Sequence, residues 1–148
     1  MTAKETLFRE GENSCAYCGQ RGIENLTIHH IDHDRENNEY DNLIILCHNC
    51  HHRYNENKGI SKEDIFRLKC DLIVKTLTQY GINALKISYR NDFGVVAMPY
   101  ILFHLLDLGY MSKEEEISSY GDGEKYVEVQ ARFAITEKGK RLYEKWLS

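Results

Sequence analysis

The apolar and polar positions of this chain divide it into a first stretch of short runs and a second stretch of longer periodic ones. Leu26-Thr-Ile-His-His-Ile31 is rich in β-branched residues and predicts a short strand. Leu43-Ile-Ile-Leu46 is an unbroken apolar run and predicts a second, buried strand. Between them Asp32–Asp41 is polar apart from Tyr40 and reads as a loop. From Cys47 a helix is expected through about Asn57, ended by Gly59. Ser61 with Asp64 three residues on resembles a capping box. Ile65, Leu68, Leu72, Ile73 and Leu77 then recur at helical spacing up to a stop at Gly81. A shorter helix with Ile82, Leu85 and Tyr89 on one side precedes a turn at Arg90–Gly94. Val95–Leu108 is strongly apolar, and Met98–Leu108 predicts a third helix closed by Gly109. Tyr110–Ser118 and Lys125–Ile135 read as strands around the Ser119–Glu124 tip, and Thr136 caps a last helix, Glu137–Leu147. The expected class is α+β, with a boundary near Gly59 between a lobe at 1–59 and a lobe at 60–148.

A length of 148 residues suits one ordinary domain or two small ones. One Pro and ten Gly exclude collagen-like and proline-rich behaviour. The apolar stretches Val95–Met98 and Tyr100–Phe103 are far too short to span a membrane, so no membrane association is expected. The opening residues carry no secretory pattern, and a cytoplasmic location is the expectation. Net charge is −4, and residues 1–60 hold six Lys/Arg against ten Asp/Glu. That balance argues against a protein devoted to non-specific nucleic-acid binding, whose affinity comes from neutralised phosphates.

Cysteine and histidine change the picture. Four of the five cysteines form two pairs, Cys15-Ala-Tyr-Cys18 and Cys47-His-Asn-Cys50. Six of the seven histidines fall between residues 29 and 52: His29, His30, His33, His48, His51 and His52. Reduced thiols in two Cys-x-x-Cys knuckles suit tetrahedral zinc, and a first lobe poor in large apolar residues needs such a staple. Structural Zn²⁺ held by Cys15, Cys18, Cys47 and Cys50 is therefore expected. Cys70, alone in a helical pattern, reads as a buried small hydrophobe.

Ile28-His-His-Ile-Asp-His33 followed by Asn42-Leu-Ile-Ile-Leu-Cys-His-Asn-Cys-His51 resembles the HNH endonuclease family with its ββα-metal fold, over about residues 13–58. The resemblance implies metal-dependent phosphodiester hydrolysis, with DNA the expected substrate and nucleic acid the partner. It gives His30 the role of general base, which suits an imidazole titrating near neutral pH. It assigns a catalytic divalent cation, Mg²⁺, Mn²⁺ or another, to His29 and His51. Asn42 would hold the ring of the base or bridge the loop. His33, His52 and Arg53 are candidate substrate contacts, and Arg35 and Lys58 flank the same region. Many members carry Asp where this chain has His29, and a neutral imidazole shifts preference from Mg²⁺ towards softer ions.

Each position also has a plainer reading: His30 and His51 as packed core histidines, Asn42 as a turn residue, His33 and His52 as solvated polar groups. The competing function is a non-catalytic zinc-containing module that binds DNA or protein. The second lobe resembles winged-helix domains through Leu105-Leu-Asp-Leu-Gly-Tyr110 and Ile135-Thr-Glu-Lys-Gly139. Its third helix holds one charged residue, Asp107, and its wing is acidic at Glu114, Glu115, Glu116, Asp122 and Glu124. A protein interface, such as a homodimer, fits it better than a phosphate backbone.

Overall fold

The computed structural model describes residues 2–148. The chain forms two compact units that divide between Thr76 and Leu77, whereas the sequence pattern set the boundary at Gly59.

In the first unit, helix α1 (Ala3–Glu10) starts from Thr2, whose hydroxyl accepts from Glu5 N–H while the Glu5 carboxylate accepts from Thr2 N–H. Strands β1 (Leu26–His30) and β2 (Leu43–Cys47) pair antiparallel, with His29 opposite Ile44 and His30 opposite Leu43. Helix α1 packs on β2, and helix α2 (His48–Asn55) packs on both strands. That leaves every residue of β2 buried, which explains its unbroken apolar run.

The unit extends past Gly59 because a buried polar cluster ties α1 to the start of α3 (Lys62–Asn91). Glu10 Oε1 accepts from Lys69 Nζ at 2.9 Å, and Glu10 Oε2 accepts from Thr76 Oγ1 at 3.0 Å and from the Tyr40 hydroxyl. Lys69 Nζ also lies 3.8 Å from the centre of the Tyr40 ring. Burial pushes the Lys69 ammonium below its usual range, and the Glu10 carboxylate opposes that shift. Ser61 and Asp64 form the expected reciprocal cap of α3. Cys70 is half-buried, not a core residue, because it sits on the flank of that helix.

The predicted stop at Gly81 is not where α3 breaks. The helical run is interrupted at Thr78 (φ 61, ψ 165), and Thr78 Oγ1 accepts from Gly81 N–H to restart it. Gly81 serves close approach instead: a Cβ there would stand 2.9 Å from His104 Nε2, which donates to Leu77 O at 2.7 Å.

The second unit holds a three-stranded sheet in the order β3-β5-β4, formed by β3 (Val95–Ala97), β4 (Met111–Gly121) and β5 (Tyr126–Ile135). The third helix expected over Met98–Leu108 is shorter. Val95–Ala97 pairs with Ala131–Phe133, one 3₁₀ turn covers Pro99–Ile101, and helix α4 spans only Phe103–Asp107. Pro99 opens the 3₁₀ turn, where its missing N–H costs nothing. Thr136 caps α5 (Glu137–Leu142) by accepting from Gly139 N–H, and one π turn, Tyr143–Leu147, finishes the chain. Leu85, Leu102, Leu105, Tyr110, Phe133, Leu142 and Trp146 form the core of this unit.

Candidate metal centres

The four knuckle cysteines converge. Their Sγ atoms all lie within 4.8 Å of one another, and Cys18 Sγ is 3.7 Å from Cys47 Sγ. Thiolates about 2.3 Å from a tetrahedral zinc stand roughly 3.8 Å apart, so the set fits that ion. Cys47 is also the N-cap of α2, its sulfur accepting from Cys50 N–H at 3.4 Å. Burial raises the Cys15 thiol, but the N–H groups of Cys18, Cys47 and Tyr17 outweigh it and hold Cys15 at about 7, close to the thiolate a metal needs. Burial pushes Cys50 upward.

A second group of side chains lines a cleft of about 420 Å³ at the end of β1, beside α2: Thr27, Ile28, His29, His30, His33, Arg35, His51 and Asn55. Successive strand residues face opposite ways, yet His29 and His30 share this cleft because the strand ends at His30 and the cleft wraps its end. The His29 ring centre lies 5.0 Å from that of His51, 5.4 Å from His33 and 4.9 Å from Tyr54. His29 is 3 % exposed, and its Nε2 is buried with no hydrogen-bond partner among the described residues. Burial, aided by His51, His33 and His30, lowers His29 to about 4, and burial likewise lowers His51. At neutral pH His29 is therefore uncharged. An uncharged, unsatisfied buried imidazole beside a second imidazole fits a divalent transition-metal ion, for which His29 and His51 would be ligands.

His30 Nε2 lies 2.9 Å from Asn38 Oδ1, and Asn38 Nδ2 donates to Glu36 O at 3.4 Å. With the amide so oriented, Nε2 carries the proton and Nδ1 keeps the free lone pair. Asn42, 1 % exposed, makes no bond to that ring. Its Nδ2 donates to Asp32 Oδ1 (2.8 Å) and to Asn37 O (2.9 Å), and its Oδ1 accepts from Asp32 N–H (3.1 Å). Of the two uses expected for Asn42, loop bridging is the one present. The ring contact falls to Asn38, which the sequence pattern did not single out.

His33, with φ 63°, sits in the cleft wall with its ring stacked on Tyr54 (interplanar angle 3°). His52 and His48 are exposed on α2 and do not line the cleft. Arg53 is committed elsewhere, its Nε donating to Lys58 O at 3.1 Å and its guanidinium 5.7 Å from the Tyr17 ring. Arg35 does line the cleft. Tyr54 and Asn55 are additions, and their signal was their spacing: both follow His51 by one helical turn and so share its face.

No helix is long and apolar enough to cross a membrane among the described residues. No curated protein and no solved structure matches the chain. Residues 15–57, which carry both cysteine pairs and every side chain of the cleft, match the family model described as HNH endonuclease.

Proposed function

We propose that this protein is a metal-dependent HNH endonuclease that hydrolyses phosphodiester bonds in DNA. The HNH segment indicates nuclease activity at the level of the family. What carries the reading is one cleft that gathers His29, His30, His51 and Arg35 next to a separate four-thiol cluster. A zinc module without catalysis has no use for the second gathering.

In this reading His30 accepts the proton of the attacking water at Nδ1, with Asn38 fixing its ring by accepting from Nε2. Asn42 keeps the Asp32–Asp41 loop folded so that Asn38 stays beside His30. His29 and His51 hold the divalent ion, which when bound offsets charge developing on the phosphate and leaving oxygen. Arg35 pairs with a neighbouring phosphate. The second unit acts as a winged-helix-like protein-contact module, including contact with a second copy. Its acidic hairpin, with Lys113 already paired to Glu128 at 2.6 Å, is poorly suited to a phosphate backbone.

The test is relaxation of supercoiled plasmid by the zinc-loaded full chain with added Mn²⁺ or Mg²⁺. His30→Ala is expected to lower the rate at least 100-fold while zinc content and circular dichroism stay unchanged. If His30→Ala nicks as fast as the parent, the assignment of the base is wrong. If the parent binds DNA or protein and never cleaves, the non-catalytic zinc module is correct.

A further inference from the structure

We propose that His33 is a third imidazole ligand of the divalent ion held by His29 and His51, making this a site for a borderline transition metal rather than for magnesium. The inference rests on the reading of the cleft as a divalent-metal site and goes beyond it by adding a third ligand, which sharpens the preference for softer ions that His29 already introduces.

Three observations support it. First, a metal–imidazole bond of about 2.1 Å puts each ring centre roughly 3.3 Å from the ion, so rings meeting at about 90–109° have centres about 4.7–5.4 Å apart. The separations of His29 from His51 (5.0 Å) and from His33 (5.4 Å) both fall within that span. Among the described residues only the four thiols already place three or more donor atoms within 4.8 Å of one another. Closing the imidazoles on an ion therefore needs turns about χ2, which swing the nitrogens while leaving the ring centres close to where they stand.

Second, His33 is held in place at a cost. It closes a turn by donating its N–H to His30 O at 3.0 Å, adopts φ 63°, and, though exposed, stacks its ring parallel to Tyr54. Its ring centre thereby stands 5.4 Å from that of His29, whose Nε2 is buried with no hydrogen-bond partner among the described residues.

Third, no carboxylate lines the cleft. Asp32 and Asp34, in the loop that carries His33, bond the loop's own backbone and amides. Asp32 Oδ1 accepts from Asp34 N–H (2.8 Å) and Asn42 Nδ2 (2.8 Å), Asp32 Oδ2 from Asn37 Nδ2 (2.7 Å), and Asp34 Oδ1 from Glu36 N–H (3.0 Å). A donor set of neutral imidazoles favours Co²⁺, Ni²⁺ or Zn²⁺, whereas Mg²⁺ demands hard oxygen ligands.

The test is calorimetric titration of Co²⁺ and Mg²⁺ into the zinc-loaded full chain. Cobalt d–d absorption, without thiolate charge-transfer bands, would report that the thiol site stays occupied by zinc. The parent is expected to bind one Co²⁺ at least 100-fold more tightly than Mg²⁺. His33→Ala and His33→Phe are both expected to weaken Co²⁺ at least tenfold with zinc content unchanged. The Phe variant keeps a ring on Tyr54 and removes only the nitrogens, so it separates packing from ligation. Parent-like Co²⁺ affinity in His33→Phe, with binding abolished by His29→Ala, would overturn the third ligand and leave the nuclease reading standing. Equal affinity for Mg²⁺ and Co²⁺ would overturn the metal preference. A parent with no second site, or one indifferent to His29→Ala, would overturn both this inference and the cleft reading beneath it.

Discussion

His29 is the residue on which burial and chemistry bear most directly. Its folded pKa of about 4 lies below the 6.5 of a free imidazole, with burial the main cause. Between those values the unfolded chain takes up a proton that the folded chain refuses. The contribution to stability is thus absent above pH 6.5, turns unfavourable as pH falls through the window, and is complete below about 4. A histidine chemical-shift titration of the zinc-loaded protein without a second metal should find His29 neutral down to about pH 4; a midpoint at 6 or above would show the ring to be solvated. The residue types at this site were legible in the sequence because consecutive His29–His30, Asn42 and His51 stand in a spaced pattern with two thiol pairs. Asn38 was not, since Asn37 and Asn38 are adjacent amides in a polar loop and only the folded turn decides which one meets His30. His52 and Arg53 could not be separated from His51 by type alone. In the fold His52 is exposed on α2, Arg53 is tied to Lys58 O, and neither lines the cleft.

At the scale of elements, the strand–loop–strand–helix order of the first unit followed from simple patterns: a β-branched run, a polar loop, an apolar run and a thiol N-cap. Helix α1 escaped notice because few of its residues are large and apolar, although Thr2 with Glu5 was a readable start signal. Its role rests on Glu10, whose carboxylate joins α1, the Tyr40–Asn42 turn and α3 in one buried cluster. Glu10→Gln leaves Lys69 charged and unpaired in the core and should cost about 3–5 kcal/mol in urea unfolding. Adding Lys69→Met to it should recover most of that loss, and a single variant costing under about 1 kcal/mol would show that water reaches the cluster. In the second unit the apolar run Val95–Leu108 concealed three elements, because a paired edge strand, a 3₁₀ turn and a packed helix look alike in composition. Gly81 misled for a related reason: a glycine needed for contact with His104 has the same letter as one that ends a helix.

For the whole molecule, two compact units predict two separable responses to loss of zinc. The only tryptophan, Trp146, is buried in the second unit, so its emission reports that unit alone. Chelation, or Cys18→Ala, should unfold β1, β2 and α2 and remove far-ultraviolet ellipticity, while Trp146 emission stays where it was. A simultaneous red shift of Trp146 would mean the units unfold as one. The sequence indicated two parts but drew the border by the last feature of the thiol segment; the border at Thr76 depends on long-range bonds to Glu10 that no local pattern records. One feature of α2 governs what could be done with this segment outside its own chain. Cys50 and His51 are bonded neighbours at the start of the same helix, so in the function proposed above the sulfur anchor and the imidazole donor would turn together about one axis. A transplant of the cleft into a different scaffold must therefore bring both thiol pairs with it, and retuning the anchor to another ion would reorient the donor in the same motion.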